Sequence, residues 1–176
     1  MSDDLIEDPV FRYRLRLSRE DELLRGEFWA EPGGGGKVEH YHPSVEERFQ
    51  VLAGVIAYRA DGRRHVAGPG SRFTIPARVR HSFTNAGNET AHFLVEMEPA
   101  LQMEELFRDA AALGRDGKWM AIGRRGMPTG PRAMLAMAEF LDRYREIFVP
   151  ASPPRPLQRI AVPPLARLAR RRRRSP

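Results

Sequence analysis

The chain has 176 residues and no cysteine, with 29 Lys and Arg against 23 Asp and Glu. That length holds one domain with a core and an appendage but not two full domains, and the missing cysteines exclude disulfides, thiolate metal sites and thiol nucleophiles. The net charge of +6 belongs to the C-terminal tail, because eight arginines and no acid follow Pro150 and the body is left with 21 bases against 23 acids, so no basic face is implied for the folded domain.

The N-terminal MSDDLIEDPV is acidic and lacks the basic start and apolar run of an export signal, and no run of about 18 apolar residues follows. A flexible N-terminus over 1–8 and a cytoplasmic location are the expectations. Residues 11–17, FRYRLRL, alternate apolar and basic side chains. On a period of two this puts Phe11, Tyr13, Leu15 and Leu17 on one face and Arg12, Arg14 and Arg16 on the other, a half-buried strand. Further short apolar or alternating runs occupy 24–30, 47–54, 54–60, 71–76, 81–85 and 91–98, separated by the turn-rich EPGGGG, ADGRR, AGPGS and NAGNET. Many short strands and no helical period before Pro99 predict an all-β sandwich or barrel over 9–100.

The pattern changes after Pro99. LQMEELFRDAAAL reads as a helix ended by Gly114, and a second helix starts at Pro131 and runs to Val149. In the second, Met134, Met137, Leu141, Tyr144 and Phe148 form an apolar stripe that Phe140 and Ile147 widen, and such a stripe must be covered by the barrel or by a second subunit. The glycine-rich link 114–130 is a mobile lid or a connector. Prolines at 153, 154, 156, 163 and 164 argue against a continuous helix beyond Pro150 and for an extended or disordered tail over 150–176. Its Arg170–Arg174 run suits weak contact with anionic surfaces, with Leu165 and Leu168 beside it. Neither C-terminal helix has helix-turn-helix spacing, so no specific nucleic-acid binding is expected.

The stretch HYHPSVEE carries the chemistry. On a strand, residues two apart face the same way, so His40 and His42 present two imidazoles to one point. Of the two adjacent glutamates, Glu47 shares a face with Phe49 and Val51, whereas Glu46 shares the other with Arg48 and Gln50. Glu47 therefore points into the core, where a cation would offset the desolvation of its carboxylate. His81 is available as a further ligand. His65 lies in a turn region and is expected to be exposed, and His92 falls on the face opposite Phe93, Val95 and Met97, which suits a structural role.

The run Gly34-x5-His40-x-His42-x4-Glu47-x6-Gly54 resembles the first motif of the cupin superfamily, and Gly70-x5-Pro76 followed by His81-x3-Asn85 resembles the second. The resemblance covers about residues 9 to 100. One departure is Arg78, which stands where the family usually has a glycine and where a turn would favour positive φ. The resemblance implies an all-β double-stranded β-helix, a small jelly roll, followed by two α-helices (101–149) and the basic tail. It also implies one divalent transition metal held by His40, His42, Glu47 and His81. Three imidazoles and a carboxylate suit Fe, Mn, Ni, Co, Cu or Zn and leave two octahedral positions open for water, dioxygen or a substrate oxygen. Phe49, Val51, Phe73, Ile75 and Phe83, with Met97 deeper, are expected to line an apolar pocket for an aromatic or otherwise apolar small molecule. Glu47 is the candidate catalytic base. A metal-dependent dioxygenase, isomerase or cyclase is the expected function, and a non-catalytic cupin that binds or senses a small molecule is the alternative. A homodimer is the expected assembly.

Overall fold

The computed structural model describes residues 5–122 and 125–174. Ten strands come first: β1 (Ile6–Asp8), β2 (Tyr13–Glu20), β3 (Leu23–Ala30), β4 (His40–Tyr41), β5 (Glu46–Ala53), β6 (Ile56–Ala60), β7 (Arg63–Ala67), β8 (Arg72–Ile75), β9 (His81–Asn85) and β10 (Ala91–Glu98). There follow α1 (Met103–Arg115), a hairpin of β11 (Trp119–Ile122) and β12 (Arg125–Pro128), α2 (Pro131–Arg143), β13 (Val149–Pro150) and α3 (Arg155–Arg174). The strands form two antiparallel sheets, in the orders β1-β2-β3-β10-β5-β8 and β13-β4-β9-β6-β7, besides the separate β11-β12 hairpin. The architecture is thus a jelly roll of two facing sheets rather than one closed barrel.

Alternation explains which side of each strand is buried. In β2, Tyr13, Leu15 and Leu17 are buried while Arg14 and Arg16 are exposed, and β3, β5 and β10 repeat the pattern. The inward side chains meet as an aromatic layer: Phe28 and Phe93 stack with ring centroids 5.2 Å apart, and Phe49 lies 6.3 Å from Phe93. Gly54 ends β5 at φ 77°, and a Cβ there would come within 2.7 Å of the Ala91 Cα. This turn therefore requires glycine both for its conformation and for the close approach of β10.

Several expectations for the termini need correction. Residues 1–4 of the N-terminal segment lie outside the described residues, but Ile6–Asp8 form β1 and pair with β2. Buried Asp8 fixes the following turn, its Oδ1 accepting from the Val10 and Phe11 amides at 2.9 Å. The link 114–130 contains the β11-β12 hairpin, in which Met120 pairs with Met127. The second helix stops at Arg143, six residues earlier than the periodicity suggests. Beyond it Ile147, Phe148 and Val149 are buried at the mouth of the jelly roll, and Val149 and Pro150 extend the second sheet beside β4. Pairing and burial there outweigh a continued helix.

The stripe on α2 is covered within the chain. Met137, Phe140 and Tyr144 are buried, Leu141 is partly so and Met134 is exposed, which places the centre of the apolar face on Phe140. Buried Tyr144 donates its hydroxyl to Asp109 Oδ2 on α1 at 2.7 Å, and burial with this carboxylate holds its phenol above the ordinary range.

The tail is a third helix despite Pro163 and Pro164. Each proline removes one backbone bond, at about 3 kcal/mol in a helix interior, and Pro164 lies on the exposed side. The opposite side packs on α2 through buried Ala166 and Ala169, and Arg170 pairs with Asp142 at 3.0 Å. The side chains of Arg173 and Arg174 lie outside those described.

Candidate metal centre

Three strands from two sheets build the centre. His40, on β4, is the direct cross-strand partner of His81 on β9, and His42 follows two residues later on the same side. Glu47 enters from the opposite sheet, on β5 between Ile75 and Met97. All four side chains are at least nine-tenths buried: His40 is 9% exposed, His42 3%, Glu47 6% and His81 3%. Glu46, whose side chain is 42% exposed, points outward to Arg48.

Each imidazole is oriented by a backbone carbonyl. His40 Nδ1 lies 2.7 Å from the Val38 oxygen, His81 Nδ1 2.9 Å from that of Val79, and His42 Nδ1 2.5 Å from that of Ile147, 105 residues away in sequence. Carbonyls only accept, so each Nδ1 carries a proton, and in the neutral form of each ring Nε2 is left with its lone pair. These Nε2 atoms converge. His40 and His42 Nε2 are 3.2 Å apart, and Glu47 places Oε1 3.4 Å from His42 Nε2 and Oε2 2.9 Å from His81 Nε2. The last approach is short but misaligned for a hydrogen bond, so Glu47 Oε2 and His81 Nε2 are both buried without a hydrogen-bond partner.

Such a concentration of lone pairs in a dry site is unfavourable unless a cation or proton lies among them. The three histidines offer nitrogens within 4.8 Å of one another and could hold a metal ion. The nitrogen and oxygen donors suit a borderline divalent transition metal. Burial and the neighbouring His81 and His42 hold His40 well below the ordinary imidazole range, so it stays neutral and ready to ligate. Burial also opposes charge on Glu47, but the His81 and His42 imidazoles outweigh it and keep its carboxyl well below the usual range. On His81 burial pulls downward, and the Glu47 carboxylate reverses the direction and raises it.

The centre opens onto a cavity of about 70 Å³ lined almost wholly by apolar side chains. Of the predicted lining residues, Phe49 and Phe83 face it. Val51, Ile75 and Met97 are buried in the core away from its wall, and Phe73 sits behind Phe49, stacked at 4.7 Å, with Tyr58 at 3.9 Å on its other side. The rest of the wall comes from outside those strands, notably Phe11, Tyr13, Phe107, Trp119, Phe140 and Phe148. Phe148 is the residue whose importance strand and helix patterns miss: its ring lies 4.7 Å from that of His40 and 6.2 Å from that of His42. Its place in the helical stripe marks it as inward but not as a neighbour of the candidate metal ligands.

The other histidines take no part. His65 is exposed and stacks on Tyr58 at 4.8 Å. His92 lies on the outer face of the six-stranded sheet, 2.8 Å from Glu27 and stacked on Trp29. Arg78 takes the glycine-like conformation at φ 69° while its amide donates to the His42 carbonyl at 2.7 Å. A left-handed non-glycine residue costs about 1–2 kcal/mol, against about 0.5–1 kcal/mol for the greater unfolded freedom of glycine. Arg78→Gly is therefore expected to stabilise the protein by about 0.5–1 kcal/mol, read as a rise in the denaturant midpoint at unchanged slope. A fall would show that the exposed arginine side chain stabilises this loop.

A family model described as a cupin domain matches residues 27–96. The chain is 35% identical to protein SchB of Streptomyces halstedii over 68 residues, which is 39% of this chain and 49% of that protein. It is 34% identical to the polyketide synthase CurC of Streptomyces cyaneus over 61 residues, 35% of this chain and 40% of that protein. The matches thus span about half, or less, of the length of these relatives. Among solved structures, an RmlC-like cupin from Shewanella frigidimarina superposes with a TM-score of 0.51 at 20% identity, covering 58% of this chain and 89% of that one, a likeness of fold.

Proposed function

The chain is a member of the cupin superfamily, and from that premise we propose that it is a metal-dependent enzyme acting on an aromatic, polyketide-like small molecule. The observation that carries this reading is the convergence of three imidazole Nε2 atoms and the Glu47 carboxylate beside an aromatic cavity whose wall includes His40, His42 and Glu47. His40, His42, His81 and Glu47 would hold the metal. A divalent metal held there supplies Lewis acidity toward a substrate oxygen and, if redox-active, access to dioxygen chemistry.

The chain's own residues do the rest. Phe49, Phe83 and Phe148 present ring faces and edges to the cavity, which favours a flat aromatic ligand over a phosphorylated one. Glu47 is the carboxylate on the cavity wall. It remains ionised and would be the proton acceptor for a phenolic or enolic substrate oxygen, one whose acidity has to be raised by a bound cation for so weak a base to suffice. Covering residues from α1, α2 and the β11-β12 hairpin exclude water from that exchange. The match to a relative named as a polyketide synthase supports the substrate class.

The small size of the cavity favours a second reading. At about 70 Å³ it is well below the roughly 300–1,000 Å³ of common ligand pockets, as befits a binding module that senses a very small ligand. Oxygen uptake and product formation with phenolic polyketide analogues by the metal-loaded protein separate the two. Turnover is expected, and it should fall in His42→Ala by more than the ten- to hundredfold typical of residues that only orient a ligand. Metal-dependent binding of the same compounds without any turnover would favour the sensing module.

A further inference from the structure

We propose that α3 is a docking helix for an anionic lipid bilayer, lying in the plane of the membrane surface. The helix has two opposed faces. The inner one, with buried Ala166 and Ala169, is packed on α2 and fixed at its start by Gln158, whose Nε2 donates to the Pro150 and Pro153 carbonyls at 2.8 and 2.6 Å. The outer face carries large apolar side chains left in solvent: Leu157 is 53% exposed, Ile160 74% and Leu168 42%. With exposed Pro164 between them, these positions step by three and four and fall within an arc of about 80° at 100° per residue.

The charge beside the stripe has one sign. Every ionisable side chain after Pro150 is an arginine, and Arg167, Arg171 and Arg172 are exposed at the edge of the stripe or beyond its end. An apolar stripe flanked by arginines is the pattern of a helix that buries one side in the acyl boundary while its guanidinium groups meet lipid phosphates. Among the described residues no helix is long and apolar enough to cross a membrane, which fits a helix lying on the surface.

Other anionic partners account for less of this face. A nucleic acid would satisfy the arginines but leave Leu157, Ile160 and Leu168 in water. A second copy packed on this face would bring together two helices whose ionisable side chains are all arginines. An anionic bilayer satisfies both features at once.

Co-sedimentation of the full chain with vesicles tests the proposal. Vesicles of equal phosphatidylglycerol and phosphatidylcholine should bind it at least about tenfold more tightly than phosphatidylcholine alone, and added salt should weaken the binding. Arg167→Gln/Arg171→Gln/Arg172→Gln should lower the partition constant by about fivefold per charge, about a hundredfold in all. Ile160→Ser/Leu168→Ser, both on solvent-exposed positions, should lower it by at least about tenfold. Failure to bind the anionic vesicles would overturn the proposal. So would binding that survives Ile160→Ser/Leu168→Ser and is matched by duplex DNA, which would mark a general polyanion site. A dimer in sedimentation velocity that the same apolar variant dissociates would reassign the face to contact between copies of this chain.

Discussion

Glu47→Gln is expected to lose its divalent metal on purification, while Glu46→Gln retains it at the wild-type level. The two residues are chain neighbours of identical chemistry, so the pair isolates direction. Glu47 lies between the sheets with its oxygens 3.4 Å and 2.9 Å from His42 and His81 Nε2, whereas Glu46 faces solvent and Arg48. A ligand that binds only the folded state at a thousand times its Kd stabilises that state by about 4 kcal/mol. For a chain of this size each kcal/mol moves Tm by about 2–4 °C, so chelation should lower Tm by about 8–16 °C in the wild type and in Glu46→Gln. Glu47→Gln, already without its metal, should show almost no response to the chelator. Elemental analysis of protein purified without an added metal or a histidine tag gives occupancy and metal identity together. Equal occupancy in the two variants would mean that the histidines suffice and that Glu47 is not a ligand.

That contrast also marks what strand arithmetic can and cannot say. A period of two decides inward from outward, and it separates Glu47 from Glu46 and places Phe49, Val51, Ile75 and Met97 in the interior, as they are. Parity does not encode height along the axis of the jelly roll. The cavity occupies the end near α1 and α2, so Phe49 reaches it while Val51, Ile75 and Met97 are spent on the core. The wall that closes the cavity comes from residues brought in by tertiary contact, of which the Ile147 carbonyl on His42, 105 residues away, is the extreme case. No local rule can read a contact of that range. Proline rules fail at α3 for a related reason: they charge the missing backbone bonds of Pro163 and Pro164 without crediting the burial of Ala166 and Ala169 against α2. The short β13 is invisible because two residues carry no period, and it exists only because β4 offers an edge.

Phe148→Ala is expected to speed both loss and uptake of the metal by about tenfold or more while leaving its equilibrium affinity nearly unchanged. Phe148 is a partition. Its ring faces the metal cavity on one side, against His40 at 4.7 Å, and on the other it lines a groove of about 320 Å³ between α2 and α3. Removing the ring joins the two spaces and gives chelators and ligands a path to the centre. The group that orients His42 from this segment is the Ile147 backbone carbonyl, which the substitution does not remove, and the four candidate ligands stay in place. Rates should therefore change together and their ratio should not. Truncating a buried phenylalanine costs about 3–5 kcal/mol, so Tm should fall by about 10 °C and the exchange experiments belong well below that transition. Stopped-flow chelation and metal-uptake rates, with equilibrium competition beside them, measure all three quantities. A faster loss with unchanged uptake, and hence a weaker affinity, would instead show that the Phe148 ring holds His40 in its ligating orientation. The same variant addresses the substrate: phenolics too large for a cavity of about 70 Å³ should gain more from it than small ones, because they alone need the partition to move.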